Sequence, residues 1–399
     1  MKIQRLYYDY LKDYLLSFWK MKKPLVIQMP ITSRCNSRCV TCNIWKYKDN
    51  TDIDSEALRK ALLDPFFSEV HTVGLNGGEF TLVPDFVNIL ESVLSLPKIK
   101  NIYLISNGLY PKRLFEYLSQ SKSLCSFHHV NLHICISVDG YGAIHEKVRG
   151  IPNCFSRTKA ILDELYKSKE VYCDSFSVGC TLSKDNIGYI RETEAFFRQY
   201  NNLSVEYHLA VPNKRIKTFD DYERYYVLND EKLRLLAAEF FYEKFLLAPE
   251  GRFKEQQFVN YYFLKNNGVG RLCKCDFLNR DITIDENLNM ALCATASDNI
   301  GNLAKLSATQ IIDGKKTKIV RKAVQQLCNT CIHYSYNSLT FKGRLLYLNE
   351  ILRCKYALKY YEICSIQGII SQYKAKFSLC KQVLHDYLVY IYIYIWKLQ

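Results

Sequence analysis

The chain has 399 residues but no apolar run long enough to cross a membrane. Its longest, Leu388 to Trp396, falls well short of the ~20 residues that a spanning helix needs. Ile and Tyr alternate there with period two, which predicts a strand and, as a lesser expectation, peripheral contact of the C-terminal tail with a membrane surface. An apolar signal-peptide core is also missing from Met1–Lys20, where Tyr and acidic residues interrupt the hydrophobics. No internal repeat and no low-complexity linker occurs. Charged residues make up 24% of the chain and hydrophobic ones 48%, a globular composition and not a disordered one. Together these absences lead us to expect a folded, cytoplasmic protein with room for one large α/β barrel and a smaller module.

What the chain has in excess is cysteine. Sixteen are present, and a long chain without a secretory leader is expected to keep them reduced. Clustered cysteines then point to metal and not to disulfides. Net charge is +14, from 54 basic against 40 acidic residues. That balance bears on anionic partners or surfaces and says nothing about fold.

Residues 25–210 read as repeated strand–helix units. Candidate strands are Leu25–Ile31, Val70–Leu75, Asn101–Ser106, Leu132–Val138, Ser175–Leu182 and Leu203–Leu209. They are short and apolar, as strands buried on both faces are. Pro84 is placed to open one intervening helix. Ile161, Leu162, Leu165 and Tyr166 form one helical face, and Ile187, Ile190 and Phe197 another. Six such units predict a parallel sheet curled into a partial (β/α)6, TIM-like barrel, two strands short of a closed one. The expected boundaries are an N-terminal helical segment over 1–24, the barrel over 25–210, a helical connector over 211–270, a small cysteine-bearing module over 271–335 and a basic, aromatic helical tail over 336–399.

The first cysteine group is Cys35-x3-Cys39-x2-Cys42, on the loop that leaves the first strand. With this cysteine content the triple arises by chance in roughly 2–3% of chains, whereas a lone C-x2-C is expected about 0.6 times. Three thiolates on one tight loop can hold three irons of a [4Fe–4S] cube and leave the fourth open to a ligand. A zinc knuckle is the plainer alternative. Asn76-Gly77-Gly78-Glu79 follows the second strand, Ser106-Asn107-Gly108 the third, and Ser137-Val138-Asp139-Gly140 the fourth. His145-Glu146-x-x-Arg149-Gly150 comes next. All would sit at the barrel mouth, where barrel enzymes keep their chemistry, although each alone is also ordinary turn chemistry. Glycines let backbone carbonyls approach an ammonium, and hydroxyl, amide, carboxylate and guanidinium groups suit ribose and carboxylate recognition.

The C-x3-C-x2-C spacing after a first strand resembles the signature of the radical S-adenosylmethionine (SAM) superfamily. Thr41 stands where that family usually has an aromatic residue. The resemblance implies that the open iron binds the amino and carboxylate groups of SAM, and that one electron cleaves SAM to methionine and a 5′-deoxyadenosyl radical. It implies SAM-binding roles for Gly77, Gly78, Glu79, Ser106, Asn107, Ser137, Asp139 and Arg149. The second cysteine group, Cys275-x17-Cys293 followed by Cys328-x2-Cys331, resembles the half-size auxiliary-cluster domain called Twitch, related to SPASM. There the four thiolates would hold one auxiliary [4Fe–4S] cluster. Cys273 competes with Cys275, the hairpin carries Asn287-Leu288-Asn289 in place of the family glycine, and a structural zinc site is the alternative. The other cysteines (125, 135, 154, 173, 180, 354, 364 and 380) read as packing residues.

Residues 340–399 hold nine Lys/Arg against three Asp/Glu, with aromatics interleaved. A helical cap over the barrel mouth is the first expectation for this tail, contact with a lipid-linked or anionic substrate the second, and nucleic-acid binding the third. The expected reaction is hydrogen abstraction by a radical SAM oxidoreductase, with alcohol-to-ketone oxidation of a sugar-like substrate ahead of peptide maturation. Flavodoxin or ferredoxin is the expected electron donor. A zinc-stabilised, basic nucleic-acid-binding protein is the reading from another class.

Overall fold

Strands β1 (Val26–Pro30), β2 (Thr72–Asn76), β3 (Asn101–Ser106), β4 (Asn131–Ser137), β5 (Ser175–Leu182) and β6 (Ser204–Leu209) pair in parallel, each with its sequence neighbour. The computed structural model describes residues 22–46, 50–333, 335 and 337–366. An unbroken 6-5-4-3-2-1 order means that every crossover steps the same way, which curls a sheet toward a barrel. The curl is visible in one bond. Tyr103 on β3 donates to the Glu206 carboxylate on β6 at 2.6 Å. Across a flat sheet three strand spacings would separate them by about 14 Å.

All six expected strands are present, within two residues at each end. One expectation about them needs correcting. The strands are not apolar on both faces. The convex face is aliphatic and fully buried, with Ile27, Met29, Val73, Leu75, Ile102, Leu104, Ile134, Ile136 and Val178. Helices cover it: α1 (Ser55–Leu62), α2 (Phe86–Leu94), α3 (Pro111–Phe127), α4 (Ala143–Arg149), α5 (Cys154–Tyr172) and α6 (Ile190–Phe197). The concave face carries Gln28, Tyr103, His133, Ser177, Glu206 and His208. A six-stranded barrel left open needs no hydrophobic filling, so its lumen stays polar. Asp85, not Pro84, directly precedes α2. Tyr166 points outward, while Ile161, Leu162 and Leu165 of the same helix are buried.

Residues 211–230 contain only short 3-10 turns, so the connector is helical only from α7 (Glu231–Leu247) and α8 (Arg252–Lys265) onward. Phe240 of α7 packs edge-on against Tyr207, which covers the β6 edge. The cysteine-bearing region does not stand apart from the barrel. Its β7 (Ile282–Ile284) pairs in parallel with β1, and β8 (Asn289–Ala291) and β9 (Asn299–Asn302) follow antiparallel, giving one nine-stranded sheet. Asp281 fixes that junction by accepting from Leu25 N and Val26 N while Arg280 holds its carboxylate. In the β7–β8 hairpin Leu288, not Asn287, takes the left-handed conformation, at φ 60°. Helices α9 (Ala308–Asp313) and α10 (Lys315–Leu327) lead to the last cysteine pair.

Residues 22–340 lie within one compact unit, and a helix, α11 (Phe341–Ile366), belongs to a second. The expected N-terminal helix and the strand at Leu388–Trp396 lie outside the described residues. Among the described residues no helix is long and apolar enough to cross a membrane.

Candidate functional site

The loop after β1 is laced to its neighbours on both sides. On one side Gly78 N donates to Thr32 O and Glu79 N to Arg34 O, both at 2.8 Å. A Cβ at position 78 would meet the Arg34 carbonyl oxygen at 1.8 Å and the Cys35 Cβ at 3.2 Å, so only glycine permits this approach. On the other side Arg38 N donates to Arg149 O and Val40 N to Val148 O at 2.9 Å, and Ser37 Oγ donates to Arg149 O at 3.1 Å. Gly150, at φ 65°, ends α4, and a Cβ there would strike the Arg38 carbonyl at 2.4 Å. Thr32 Oγ1 donates to Asp52 at 2.6 Å, a brace that the sequence motifs gave no sign of.

This lacing brings Cys35, Cys39 and Cys42 together, each half-buried, with polar hydrogens aimed at sulfur. Ser37 N reaches Cys35 Sγ at 3.5 Å, Ser37 Oγ lies 3.0 Å from Cys39 Sγ, Ile44 N reaches Cys42 Sγ at 3.4 Å, and Arg149 Nη1 reaches Cys39 Sγ at 3.6 Å. Burial pushes the Cys35 thiol up to about 12 and that of Cys42 to about 11, against those hydrogen bonds. Such thiols keep their protons until a metal replaces them. Among the described residues no three His, Cys, Asp or Glu side chains are placed to hold a single ion. The donors offered by the loop itself are three thiols, the ligand chemistry of an iron–sulfur cluster.

Glu79 is fully buried, and its carboxylate is already engaged. It accepts from Thr81 N, Thr81 Oγ1, Ser106 Oγ and Asn107 N, between 2.7 and 3.3 Å. Glu79 thereby ties the turn after β2 to the end of β3. Among the described residues, the carbonyls of Gly77 and Gly78 accept no hydrogen bond. Asn107 Nδ2 bridges to Asn36 Oδ1 at 2.8 Å and approaches Cys35 Sγ at 3.8 Å. Ser137 is half-buried where β4 ends. Arg149 pairs with Asp139 at 2.7 Å, both buried. Burial opposes the guanidinium charge, but Asp139 and the nearby thiols outweigh it. His145 holds the turn by accepting from Asp139 N at 3.1 Å, and burial lowers it to about 3, so it is neutral.

The second group lines one cavity. Cys275, Cys293, Cys328 and Cys331 surround it with Arg271, His333, Phe277, Leu278, Val324 and Leu327. Cys273 is buried outside it, bridged to Leu339. Geometry thus separates two candidates that spacing left tied. Four thiols around one space match the donor chemistry of an iron–sulfur cluster. Burial raises Cys328 to about 11. The single cysteines 125, 135, 154, 173 and 180 are buried, as packing residues should be.

Sequence motifs missed the barrel lumen. Glu206 accepts from Tyr103 at 2.6 Å and Ser177 at 2.7 Å, and His208 Nε2 lies 3.6 Å from its other oxygen. Burial would raise this carboxyl, but those hydrogen bonds hold it at about 2. His133 stacks on Tyr103 with centroids 4.2 Å apart and meets Ser177 at 2.9 Å. The only available signal was polar alternation within β3 to β6, hidden by the apolar residues between. The 211–221 segment was missed too. Asn43 donates to Lys217 O and to Asp221, and Lys214 N donates to Thr295 O, two residues from Cys293.

Comparison with known proteins agrees with this geometry. Residues 29–196 match the Radical_SAM family, the radical SAM superfamily. The chain is 26% identical over 232 residues to the AdoMet-dependent heme synthase of Methanosarcina barkeri, covering 54% of this chain and 62% of that protein. It is 34% identical over 103 residues to molybdenum cofactor biosynthesis protein moc-5 of Caenorhabditis elegans, covering 25% of this chain and 17% of that protein. The chain thus spans less than two thirds of either relative. Among solved structures, native anSMEcpe with bound AdoMet and Cp18Cys peptide aligns with a TM-score of 0.53 at 19% identity, covering 78% of this chain and 84% of that one. At that identity the likeness shows the fold, a parallel, barrel-like α/β sheet.

Proposed function

The chain is a radical SAM superfamily enzyme, and from that premise we propose that it cleaves SAM reductively at the Cys35–Cys39–Cys42 loop and oxidises an alcohol held in the barrel lumen. The observation that carries this reading is the lacing of the three-thiol loop to the Gly77-Gly78 turn on one side and to Arg149 on the other. A SAM-binding [4Fe–4S] cluster on these thiols supplies, with one electron from a flavodoxin- or ferredoxin-like donor, the 5′-deoxyadenosyl radical. This chain's residues do the rest. The free Gly77 and Gly78 carbonyls receive the methionyl ammonium. Ser106, Asn107 and Ser137 line the approach for ribose and carboxylate. Arg149, held by Asp139, neutralises sulfur charge at Cys39. Cys275, Cys293, Cys328 and Cys331 hold an auxiliary [4Fe–4S] cluster that accepts an electron.

The proposed reaction takes a hydrogen atom from carbon, a proton from the hydroxyl and one electron, leaving a carbonyl. The Glu206–His208 pair is the proton acceptor, since an ionised carboxylate beside an imidazole orients and supports it as a base. The neutral partners Tyr103, His133 and Ser177 suit a hydroxylated substrate. A peptide is the second reading, favoured by the peptide bound to anSMEcpe. We place the enzyme in the cytoplasm. The zinc-stabilised binding module gives way to the family match.

The test is anaerobic reconstitution followed by dithionite and SAM. About eight irons per chain and formation of 5′-deoxyadenosine are expected, with loss of the nucleoside in Cys35→Ala. An intact cluster that forms no 5′-deoxyadenosine would defeat the proposal.

A further inference from the structure

The four-thiol cavity contains a cation to which no motif assigns a role. Arg271 lines the cavity together with Cys275, Cys293, Cys328 and Cys331. Its guanidinium is fixed by four backbone carbonyls from two chain segments. Nε donates to Cys273 O at 3.0 Å and Nη2 to Lys274 O at 3.3 Å, just before Cys275. Nη1 donates to Cys331 O at 3.1 Å and to His333 O at 2.8 Å. The charge therefore has a defined position relative to two of the thiols. These four acceptors are backbone carbonyls, so they position the guanidinium.

The remaining lining adds no charge of its own. Phe277, Leu278, Thr295, Ala296, Val324 and Leu327 are uncharged. His333 is half-buried on the same lining.

We propose that Arg271 sets the reduction potential of the auxiliary cluster, raising it so that the cluster can accept the electron released by the substrate. This rests on the reading of Cys275, Cys293, Cys328 and Cys331 as cluster ligands. A [4Fe–4S]2+ core with four thiolates carries two net negative charges, and one-electron reduction makes three. A fixed cation in a low-dielectric cavity stabilises the more negative state more, which moves the potential upward. The electron enters the core, taking it from 2+ to 1+. It comes from the carbon radical left by hydrogen abstraction, which becomes the carbonyl as the hydroxyl proton passes to the Glu206–His208 pair. Arg271 touches no reacting atom in this scheme and is a positioning residue for the cluster's field.

The test is an EPR-monitored redox titration of the reconstituted enzyme, with Arg271→Lys, Arg271→Gln and Arg271→Met. A Cys35→Ala/Cys39→Ala/Cys42→Ala background isolates the auxiliary signal. Gln retains donors for the carbonyls, so the loop can close without the charge. Gln and Met are expected to shift the auxiliary midpoint to more negative potential, with Lys staying near wild type. A wild-type midpoint in Arg271→Gln overturns the inference, as does an equal shift in Lys, which would assign the effect to the hydrogen bonds. Loss of the cluster from both neutral variants while Lys retains it would assign the charge to assembly, and would also overturn it. A wild-type enzyme with only about four irons and one reducible centre would instead sink the ligand reading itself.

Discussion

Replacing Gly78 with alanine should remove the SAM-binding cluster while sparing the auxiliary one. The added Cβ would sit 1.8 Å from the Arg34 carbonyl oxygen and 2.5 Å from its carbon. Unstrained carbon contacts need ~3.5 Å, so the two loops must part by on the order of 1.5 Å. Both obstructing atoms belong to the backbone, and no side chain can swing away. Parting breaks the Gly78–Thr32 and Glu79–Arg34 hydrogen bonds, each contributing about 1 kcal/mol net. Overpacking adds about 1–3 kcal/mol. The sum, roughly 3–5 kcal/mol, should lower the melting temperature by roughly 4–7 °C in a unit this large. More telling is the position of Cys35, next in sequence to Arg34. Its sulfur moves with the loop, and cluster geometry does not tolerate such a displacement.

Iron per chain, melting temperature and 5′-deoxyadenosine formation are the readouts. Gly78→Ala should retain about four irons and form no nucleoside. Gly74→Ala is the control on the same strand. Its Cβ meets only the Gln28 carboxamide, at 2.7 Å, the movable end of a side chain. That variant should retain about eight irons at the expense of one Asn76–Gln28 hydrogen bond. Full iron and wild-type nucleoside formation in Gly78→Ala would refute the reasoning, and so would equal damage in Gly74→Ala.

Cys275→Ser should lower the iron content by about four per chain, whereas Cys273→Ser should leave it unchanged, as iron analysis after anaerobic reconstitution will show. Asp139→Asn leaves the buried Arg149 cation uncompensated and should destabilise the fold by about 3–5 kcal/mol in urea unfolding. In the cluster-free protein, alkylation of Cys35 and Cys42 by iodoacetamide, followed by mass spectrometry, should still be accelerating at pH 10. Burial raises both thiols above the ordinary 9.0, so the thiolate fraction keeps climbing where that of an ordinary cysteine has levelled. A plateau at pH 9 would contradict the burial account.

The strands, the barrel and the three-cysteine loop were legible because each leaves a local mark. Runs such as Ile102 to Ile105 announce a buried strand, and C-x3-C-x2-C is fixed by the geometry of one loop. What the sequence hid is long-range. Nothing near Glu206 says that Tyr103, on a strand about a hundred residues earlier, donates to its carboxylate. Only curvature brings them together. Spacing could not separate Cys273 from Cys275, because two residues apart in an irregular segment fixes neither direction. In the fold Cys275 lines the cavity, whereas Cys273 is not among its lining residues. Nor does the sequence show that four donors from Thr81, Ser106 and Asn107 converge on the Glu79 carboxylate.

The two thiol groups share a physical frame that explains why neither region reads as separable. Strand β1 pairs with β2 on one side and β7 on the other. Its exit carries Cys35, and its entry is clamped by Asp281, which immediately precedes β7. The 211–221 segment makes a second tie. Asn43, adjacent to Cys42, is held by Lys217 O and Asp221, while Lys214 N reaches Thr295 O beside Cys293. A rigid spacing matters for electron transfer, because the electron must pass from substrate to acceptor over a fixed gap. The polar lumen, with Glu206 and His208, belongs to the same sheet. In the proposed reaction, radical formation, proton removal and electron acceptance would all fall to side chains on one continuous sheet and the loops that leave it, so that three events could act on a single bound molecule.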